Sequence, residues 1–259
     1  MGQLLRADLL PEAWIAPPAI RQLRALLRHR VALVRLRTRL RNRIHAIVAG
    51  YGYDRPAGEY WSGPGRAWLA ALELPAVSRE LIGDDLGLID ALQGRIDRLD
   101  WEIRQRARSG PQAGVLTQLP GIGPFTALVI LAEAGDISRF ASARKLASWA
   151  GLTPTVRGSD RAACYGHISK EGSVWLRWVL CEAAQTAKRS PQFAATYQAI
   201  AKRRGKKIAT TAVARKLLTR AYHLLAAASG GTPTSPEGPP GPGELAFLHE
   251  PATRPRSII

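Results

Sequence analysis

A serine among basic residues and glycines is the residue of this sequence best suited to covalent chemistry. Ser159 lies in the run RGSDR, and a second run, GHISKEG, follows it closely. A serine hydroxyl is a weak nucleophile, which needs a base or a metal to take its proton and cations to stabilise charge on a phosphate. A solvent-exposed turn serine is the simpler interpretation. The candidate cations are Arg157, Arg161, Lys170 and Arg177.

A glycine-rich run before this serine predicts a phosphate-binding turn. Residues 116–127, LTQLPGIGPFTA, match the helix-hairpin-helix pattern. Gly121 and Gly123 would allow a tight turn with positive φ, and the turn around Ile122 would leave backbone N–H groups of the next helix to bind a phosphate oxygen. Such a hairpin contacts the nucleic-acid backbone and not the bases. A plain glycine turn between two core helices is the alternative.

Basic residues are concentrated on either side of these motifs. The 259 residues include 37 Lys and Arg against 20 Asp and Glu, a net charge of +17, which favours a polyanionic partner. Residues 13–53 and 183–235 contain no acid. The run KRRGKK is predicted to form a loop that contacts phosphates, with a merely solvated loop as the alternative. Its basic residues are Lys202, Arg203, Arg204, Lys206 and Lys207.

The elements that must position these residues are predicted to be helices. Apolar residues from Ile20 to Ile47, including Leu36, recur mostly at spacings of three and four, which predicts a helix with one buried stripe and arginines over the rest. A second helical pattern over residues 66–107 carries many of the acids. We therefore expect an antiparallel, coiled-coil-like hairpin with complementary charges.

The sequence predicts a mainly α protein in which this hairpin, residues 19–108, is followed by a compact helical domain over residues 115–228. That domain would contain the helix-hairpin-helix and a short irregular or β-hairpin serine loop. Residues 229–259 are predicted to be a disordered tail, because their Gly, Pro, Ser and Thr cannot bury enough apolar surface to fold.

Several classes of protein are disfavoured. No apolar run approaches the roughly 18–20 residues of a membrane span, and the first residues do not resemble a signal peptide, so a cytoplasmic protein without membrane contact is predicted. Cys164, His167 and Cys181 are too few for a closed zinc site, which needs four ligands. No metal or other cofactor is therefore predicted in this chain.

The motifs of residues 116–225 together resemble the C-terminal domain of insertion-sequence transposases related to pilin-gene invertase. The shared pattern runs in order through PGIG, AEAGD, AGLTP, the serine, GHISKEG and LR. Residues 4–53 resemble the end of the family's RuvC-like domain and the helix after it, and residues 1–18 would be the remnant of that domain.

The resemblance implies that Ser159 attacks a DNA phosphodiester and holds the strand as a phosphoserine. It implies DNA as the partner, a homo-oligomer and, for some relatives, a guide RNA. The family's DEDD tetrad, which would bind Mg²⁺ in full-length relatives, has no counterpart here, so we expect an N-terminally truncated transposase unable to cleave DNA alone. Asp160 stands where relatives usually have Gly. A non-catalytic helix-hairpin-helix nucleic-acid-binding protein and a helical scaffold are the alternatives.

Overall fold

A computed structural model describes residues 14–54, 60–159 and 162–230, and for residues 157–159 and 162–165 it describes the backbone. This part of the chain is mainly helical, as predicted. The chain divides into two units, Met1–Arg106 and Ala107–Ile259. The predicted tail from residue 231 onward and the predicted RuvC-like remnant up to residue 13 lie outside the described residues.

The described part of the first unit contains three helices, α1 (Pro18–Gly50), α2 (Gly63–Ala71) and α3 (Ala76–Ser109), the last of which runs past the unit's end. Pro18 opens α1, where its fixed φ fits a first helical turn. The single helical pattern predicted over residues 66–107 is divided, because Pro75 disfavours helical geometry in the residue before it. The chain is already extended at Leu72, where α2 ends.

Arginines of α1 bind polar residues of α3, as the opposite charges of the two segments predicted. Arg30 donates two hydrogen bonds to Asp100, at 2.9 and 3.1 Å. Farther along α1, the Arg43 guanidinium binds the fully buried Asp85 through two hydrogen bonds, one of 2.6 Å. The later arginine of α1 binds the earlier acid of α3, so the two helices are antiparallel.

The buried stripe of α1 differs from the predicted one, because arginines lie within it. From Val34 the three-and-four spacing continues through Arg37 and Arg41 to the buried Ile44. Both arginines are half-buried, so the expectation that arginines only cover the outside of α1 was wrong for them. Leu36, predicted to lie in the stripe, is 45% exposed, because it lies one position before Arg37 and therefore off that face.

Helix α2 contributes to a hydrophobic core at one end of the first unit. Tyr60, just before α2, stacks on Trp68 with ring centroids 5.4 Å apart, and the Arg41 guanidinium lies 4.8 Å from the Trp61 ring centroid. Aromatic pairs and cation–ring contacts of this kind add to the stabilisation from apolar burial. The buried members of this core are Ile44, Val48, Tyr60, Leu69, Leu72, Leu74, Ile82 and Ile89.

The second unit packs short helices and one hairpin around a long C-terminal helix, α9 (Lys206–Ala228), which contacts α4, α6, α7 and α8. Leu217 and Leu218 of α9 are fully buried, and the Tyr222 hydroxyl donates a 2.9 Å hydrogen bond to the Phe140 carbonyl. In chain order the other elements are α4 (Pro111–Leu116), α5 (Pro124–Ala134), a 3-10 turn (Ile137–Arg139), α6 (Ala143–Trp149), β1 (Pro154–Ser159), β2 (Ala162–Ile168), α7 (Val174–Ala187) and α8 (Pro191–Arg204).

The buried carboxylate of Asp85 makes the first unit sensitive to its arginine partner. We expect Arg43→Met to lower the free energy of unfolding by about 2 kcal/mol, because it leaves a buried charged group without its hydrogen bonds. Arg39→Met is the matched control, since Arg39 is exposed on the same helix. Urea unfolding followed by circular dichroism measures both variants, and equal midpoints would contradict the structural role of the Arg43–Asp85 pair.

Candidate nucleic-acid interface and serine hairpin

Ser159 lies at the end of the first strand of an antiparallel hairpin. The backbone pairs Ser159 with Ala162, Arg157 with Cys164, and Val156 with Tyr165. Near the start of the hairpin an irregularity between Pro154 and Val156 places an extra residue on β2, and such bulges increase the local twist of a hairpin. Residues 160 and 161, which include the candidate cation Arg161 and the unusual Asp160, lie outside the described residues.

The base of the hairpin is a close crossing of two backbone turns. Gly151, with φ +69°, lies so near the second turn that an added Cβ would be 2.1 Å from the Glu171 carbonyl oxygen. On the other side, a Cβ on Gly172, with φ +71°, would be 2.0 Å from the Trp149 carbonyl oxygen. Only glycine fits at these two positions, where positive φ and close approach coincide. The motifs AGLTP and GHISKEG thus meet at one place, called here the glycine crossing.

Arg177 of α7 ties this crossing to the helical body. Its guanidinium donates hydrogen bonds to the carbonyl oxygens of Ala150, at 3.2 Å, and of Glu171. The Lys170 amide donates to the Gly151 carbonyl at 3.2 Å, and Lys170 is the only non-glycine residue of the described chain with positive φ, at 59°. Of these two predicted phosphate ligands, Arg177 therefore supports backbone carbonyls, whereas the Lys170 side chain is exposed.

The predicted cations divide into two groups along the hairpin. Five residue steps separate Pro154 from Ser159, which corresponds to about 16 Å of extended strand. Arg157 is two residues before Ser159 on β1, whereas Lys170 and Arg177 lie at the glycine crossing. The structure therefore does not bring all four predicted cations to the serine. Whether any of them binds phosphate stays a prediction.

The predicted phosphate-binding turn joins α4 to α5. Gly121 has φ +80°, and an added Cβ would lie 2.3 Å from the Ala183 carbonyl oxygen of α7. Gly123 has φ −90°, so the expectation of positive φ is confirmed for Gly121 and wrong for Gly123. Gly123 precedes Pro124 and is exposed, with open space around the position of a Cβ, whereas Ile122 is buried. Gly121 thus serves packing, and Gly123 leaves the start of α5 accessible.

Two side-chain contacts join α5 to α7 beside this turn. Phe125 meets Trp178 edge-on, with ring centroids 6.3 Å apart. Farther along α5, the buried Glu133 accepts a 2.9 Å hydrogen bond from the Ser173 hydroxyl, which itself accepts the Leu176 amide at the start of α7. Sequence reasoning missed Glu133 and Ser173. A carboxylate within the apolar run LVILAEA was the available signal, because a buried charge needs a partner.

The predicted basic loop is a corner between two helices. Lys202, Arg203 and Arg204 form the last turn of α8, and α9 begins at Lys206, so Gly205 alone separates the helices. The expected loop was therefore wrong, because the helical pattern continues almost through the cluster. All five basic side chains are exposed, as phosphate contact requires. We call the five residues and Gly205 the basic corner.

Comparison with known protein families finds a match in the region around the hairpin. Residues 113–198 match the transposase IS116/IS110/IS902 family. These residues make up a transposase-like region that includes the glycine turn, the hairpin and α7. Within the described residues, no group of three or more His, Cys, Asp or Glu side chains could hold a metal ion. No helix among those residues is both long and apolar enough to cross a membrane.

Curated relatives are transposases or insertion-element proteins. The chain is 32% identical over 173 residues to a probable family 20 transposase of Pseudomonas aeruginosa, covering 62% of this chain and 49% of that protein. It is 28% identical to the transposase for insertion sequence element IS1111A of Coxiella burnetii, covering 74% and 55%, and 29% identical to a protein of insertion element IS116 of Streptomyces clavuligerus, covering 81% and 63%. The chain thus spans about half to just under two-thirds of these relatives.

The two glycines of the predicted phosphate turn give a matched pair of variants. We expect Gly121→Ala to lower the stability of the second unit by about 2 kcal/mol or more, because alanine is strained at positive φ and would meet the α7 backbone. Gly123→Ala should unfold close to wild type, since its φ is ordinary and its surroundings are open. Thermal unfolding with near-ultraviolet dichroism compares them, and equal losses in the two variants would contradict this description of the turn.

Proposed function

We propose that this chain acts in an insertion-sequence transposase of the pilin-gene-invertase-like class, where it binds DNA and supplies the serine nucleophile. The observation that carries the proposal is the serine hairpin itself. Ser159 ends a strand that projects from a glycine crossing within the region similar to the transposase family. A hairpin fixed at its base and about 16 Å long can present a hydroxyl to a substrate outside the helical body.

In the proposed reaction, the Ser159 hydroxyl oxygen attacks the phosphorus of a DNA phosphodiester. A bond forms between the serine oxygen and phosphorus, and the bond from phosphorus to one deoxyribose oxygen breaks. The hydroxyl proton passes to a base, and the leaving oxygen takes up a proton to become a free hydroxyl. The product is a strand held as a phosphoserine, which a second hydroxyl can displace to rejoin DNA. Arg157 and Arg161 are the proposed cations beside this phosphate.

DNA binding is assigned to two surfaces of the second unit. The exposed turn at Gly123 leaves the first amides of α5 without a side-chain cap, so they can donate to a phosphate oxygen. The basic corner offers five exposed cations at a bend in the chain, where they can neutralise several phosphates. Both surfaces contact the backbone of DNA, and so they would position the strand without reading its sequence.

Cleavage of DNA by this reaction requires metal-binding carboxylates in addition to the serine and the cations. Metal-dependent phosphoryl transfer uses carboxylates to hold ions that offset charge on the leaving oxygen. The described residues contain no such cluster, so they do not fit a Mg²⁺ site. We propose that carboxylates of a full-length transposase relative, in a mixed oligomer with this chain, complete the site, and that the projecting hairpin brings Ser159 to them.

Trapping of a covalent protein–DNA adduct tests the nucleophile. This chain is mixed with the full-length Coxiella burnetii relative whose corresponding serine is replaced by alanine, together with the ends of that relative's element. We expect a denaturant-resistant adduct on this chain, abolished by Ser159→Ala and retained in Ser169→Ala, a second serine of the same region. An adduct that survives Ser159→Ala, or no adduct while the unmodified relative forms one, would contradict the assignment.

A non-catalytic nucleic-acid-binding protein is the second candidate. The observation that favours it is Arg177, which donates to the carbonyl oxygens of Ala150 and Glu171 at the hairpin base instead of lying beside the serine. Binding of DNA without any adduct, in the presence of the active relative, would identify this function.

Salt dependence tests the basic corner under either function. We expect the double variant Lys206→Gln/Lys207→Gln to reduce the slope of log affinity against log salt by about 2, because each phosphate contact contributes about 0.9. The variant Lys216→Gln/Arg220→Gln removes the same charge from exposed positions farther along α9. Fluorescence anisotropy with a short DNA duplex measures both slopes. An equal change in the two variants would assign the effect to net charge and not to the corner.

A further inference from the structure

An exposed tryptophan in the first unit lies beside arginines that have no side-chain partner among the described residues. Trp101 of α3 is 60% exposed, and its ring meets no other ring or cation in the part of the chain that is described. Arg98 and Arg104 are three residues before and after it, so all three lie along one face of the helix. Both arginines are exposed.

The acids around Trp101 are engaged, whereas these arginines are not. Asp100 accepts from Arg30, Glu102 accepts from Arg106 at 2.6 Å, and Asp97 accepts from Gln93 at 2.8 Å. By contrast, among the described residues Arg95, Arg98 and Arg104 form no hydrogen bond or ion pair through their side chains. Asp100 and Glu102 are paired with arginines, whereas the neutral Gln93 amide leaves Asp97 charged. The three arginines without partners therefore exceed the one unpaired acid next to the indole, which favours an anionic partner.

Trp101 also lines an open groove between α3 and α1. The groove has a volume of about 820 Å³. Its walls include His29 and Leu33 from α1 and, from α3, Arg95 and Arg98 together with the acids Asp97 and Glu102. The groove thus combines apolar surface at Leu33, the rings of Trp101 and His29, and the guanidinium groups of Arg95 and Arg98. This combination matches a nucleotide, whose base can stack on a ring while its phosphate contacts a cation. Stacking on an aromatic side chain needs an unpaired base, because the faces of bases in a duplex are already covered.

We propose that this groove, lined by Trp101, His29, Arg95 and Arg98, binds single-stranded nucleic acid through stacking of an unpaired base on Trp101. The binding is tolerant of sequence, since every base has a stacking face, and it depends on salt through the arginines. The proposal deepens the proposed function and rests on it, because it adds an unpaired strand to the duplex assigned to the second unit. DNA and RNA share this chemistry, and the experiment compares them.

The test uses the full chain with a labelled 20-nucleotide DNA strand, the matching RNA strand and the DNA duplex, each measured by anisotropy. We expect Trp101→Leu to weaken binding of the tighter single strand about 5- to 150-fold, the range of one lost base stack. Trp101→Phe keeps a ring and should stay within about threefold of wild type. Leu88→Ala, at a position 52% exposed on the same helix, is the matched control and should leave affinity unchanged.

The outcomes separate this proposal from the one on which it rests. Duplex binding and the Ser159 adduct should be unchanged in Trp101→Leu, while Ser159→Ala should bind single strands as wild type does. Single-strand affinity that survives Trp101→Leu would overturn the stacking site, as would an equal loss on duplex and single strand. Self-association that Trp101→Leu abolishes, with oligonucleotide binding unaltered, would overturn it too and assign the groove to a protein partner. Circular dichroism confirms that each variant is folded.

Discussion

The hairpin depends on contact between two stretches of backbone. At the glycine crossing, carbonyl oxygens of Trp149 and Glu171 occupy the space that side chains would fill at Gly172 and Gly151. Arg177 then satisfies the carbonyls of Ala150 and Glu171 from α7. Backbone atoms have fewer soft degrees of freedom than side chains, so a hairpin anchored in this way has a defined direction. The position of Ser159 relative to the helical body follows from that direction.

In the first unit, polar contacts determine how α1 aligns with α3. Ile82, Ile89, Ile96 and Ile103 repeat every seven residues along α3 and are all buried. Isoleucines alone would tolerate several registers, since the repeat matches itself after one heptad. Arg43 with Asp85 and Arg30 with Asp100 fit only one alignment of the helices. Polar pairs at a helix–helix interface can fix its register, and we infer that role for these two partly buried pairs.

The sequence predicted the helical class and the charge complementarity of α1 and α3, because helical spacing and segregated charge are local signals. It did not predict where arginines replace apolar residues in the stripe, since Arg37 and Arg41 are half-buried through contacts with residues distant in sequence. Motif order placed the candidate serine in a short irregular or β-hairpin loop, but it did not predict that AGLTP and GHISKEG meet, because a crossing of two turns depends on tertiary contact. The basic corner was mistaken for a loop, since consecutive cations resemble a solvated segment although their helical propensity is high.

The basic corner has an energetic consequence for α9. The amides at the start of a helix carry partial positive charge, and anions there are stabilising. Helix α9 has no acid in its first turn and no side-chain cap at Gly205, and it begins with Lys206 and Lys207. The beginning of the longest helix of the second unit is therefore electrostatically strained in the isolated chain. A polyanion bound at the corner, as proposed, would relieve that strain, and by thermodynamic linkage it would then stabilise the helix around which the second unit is packed.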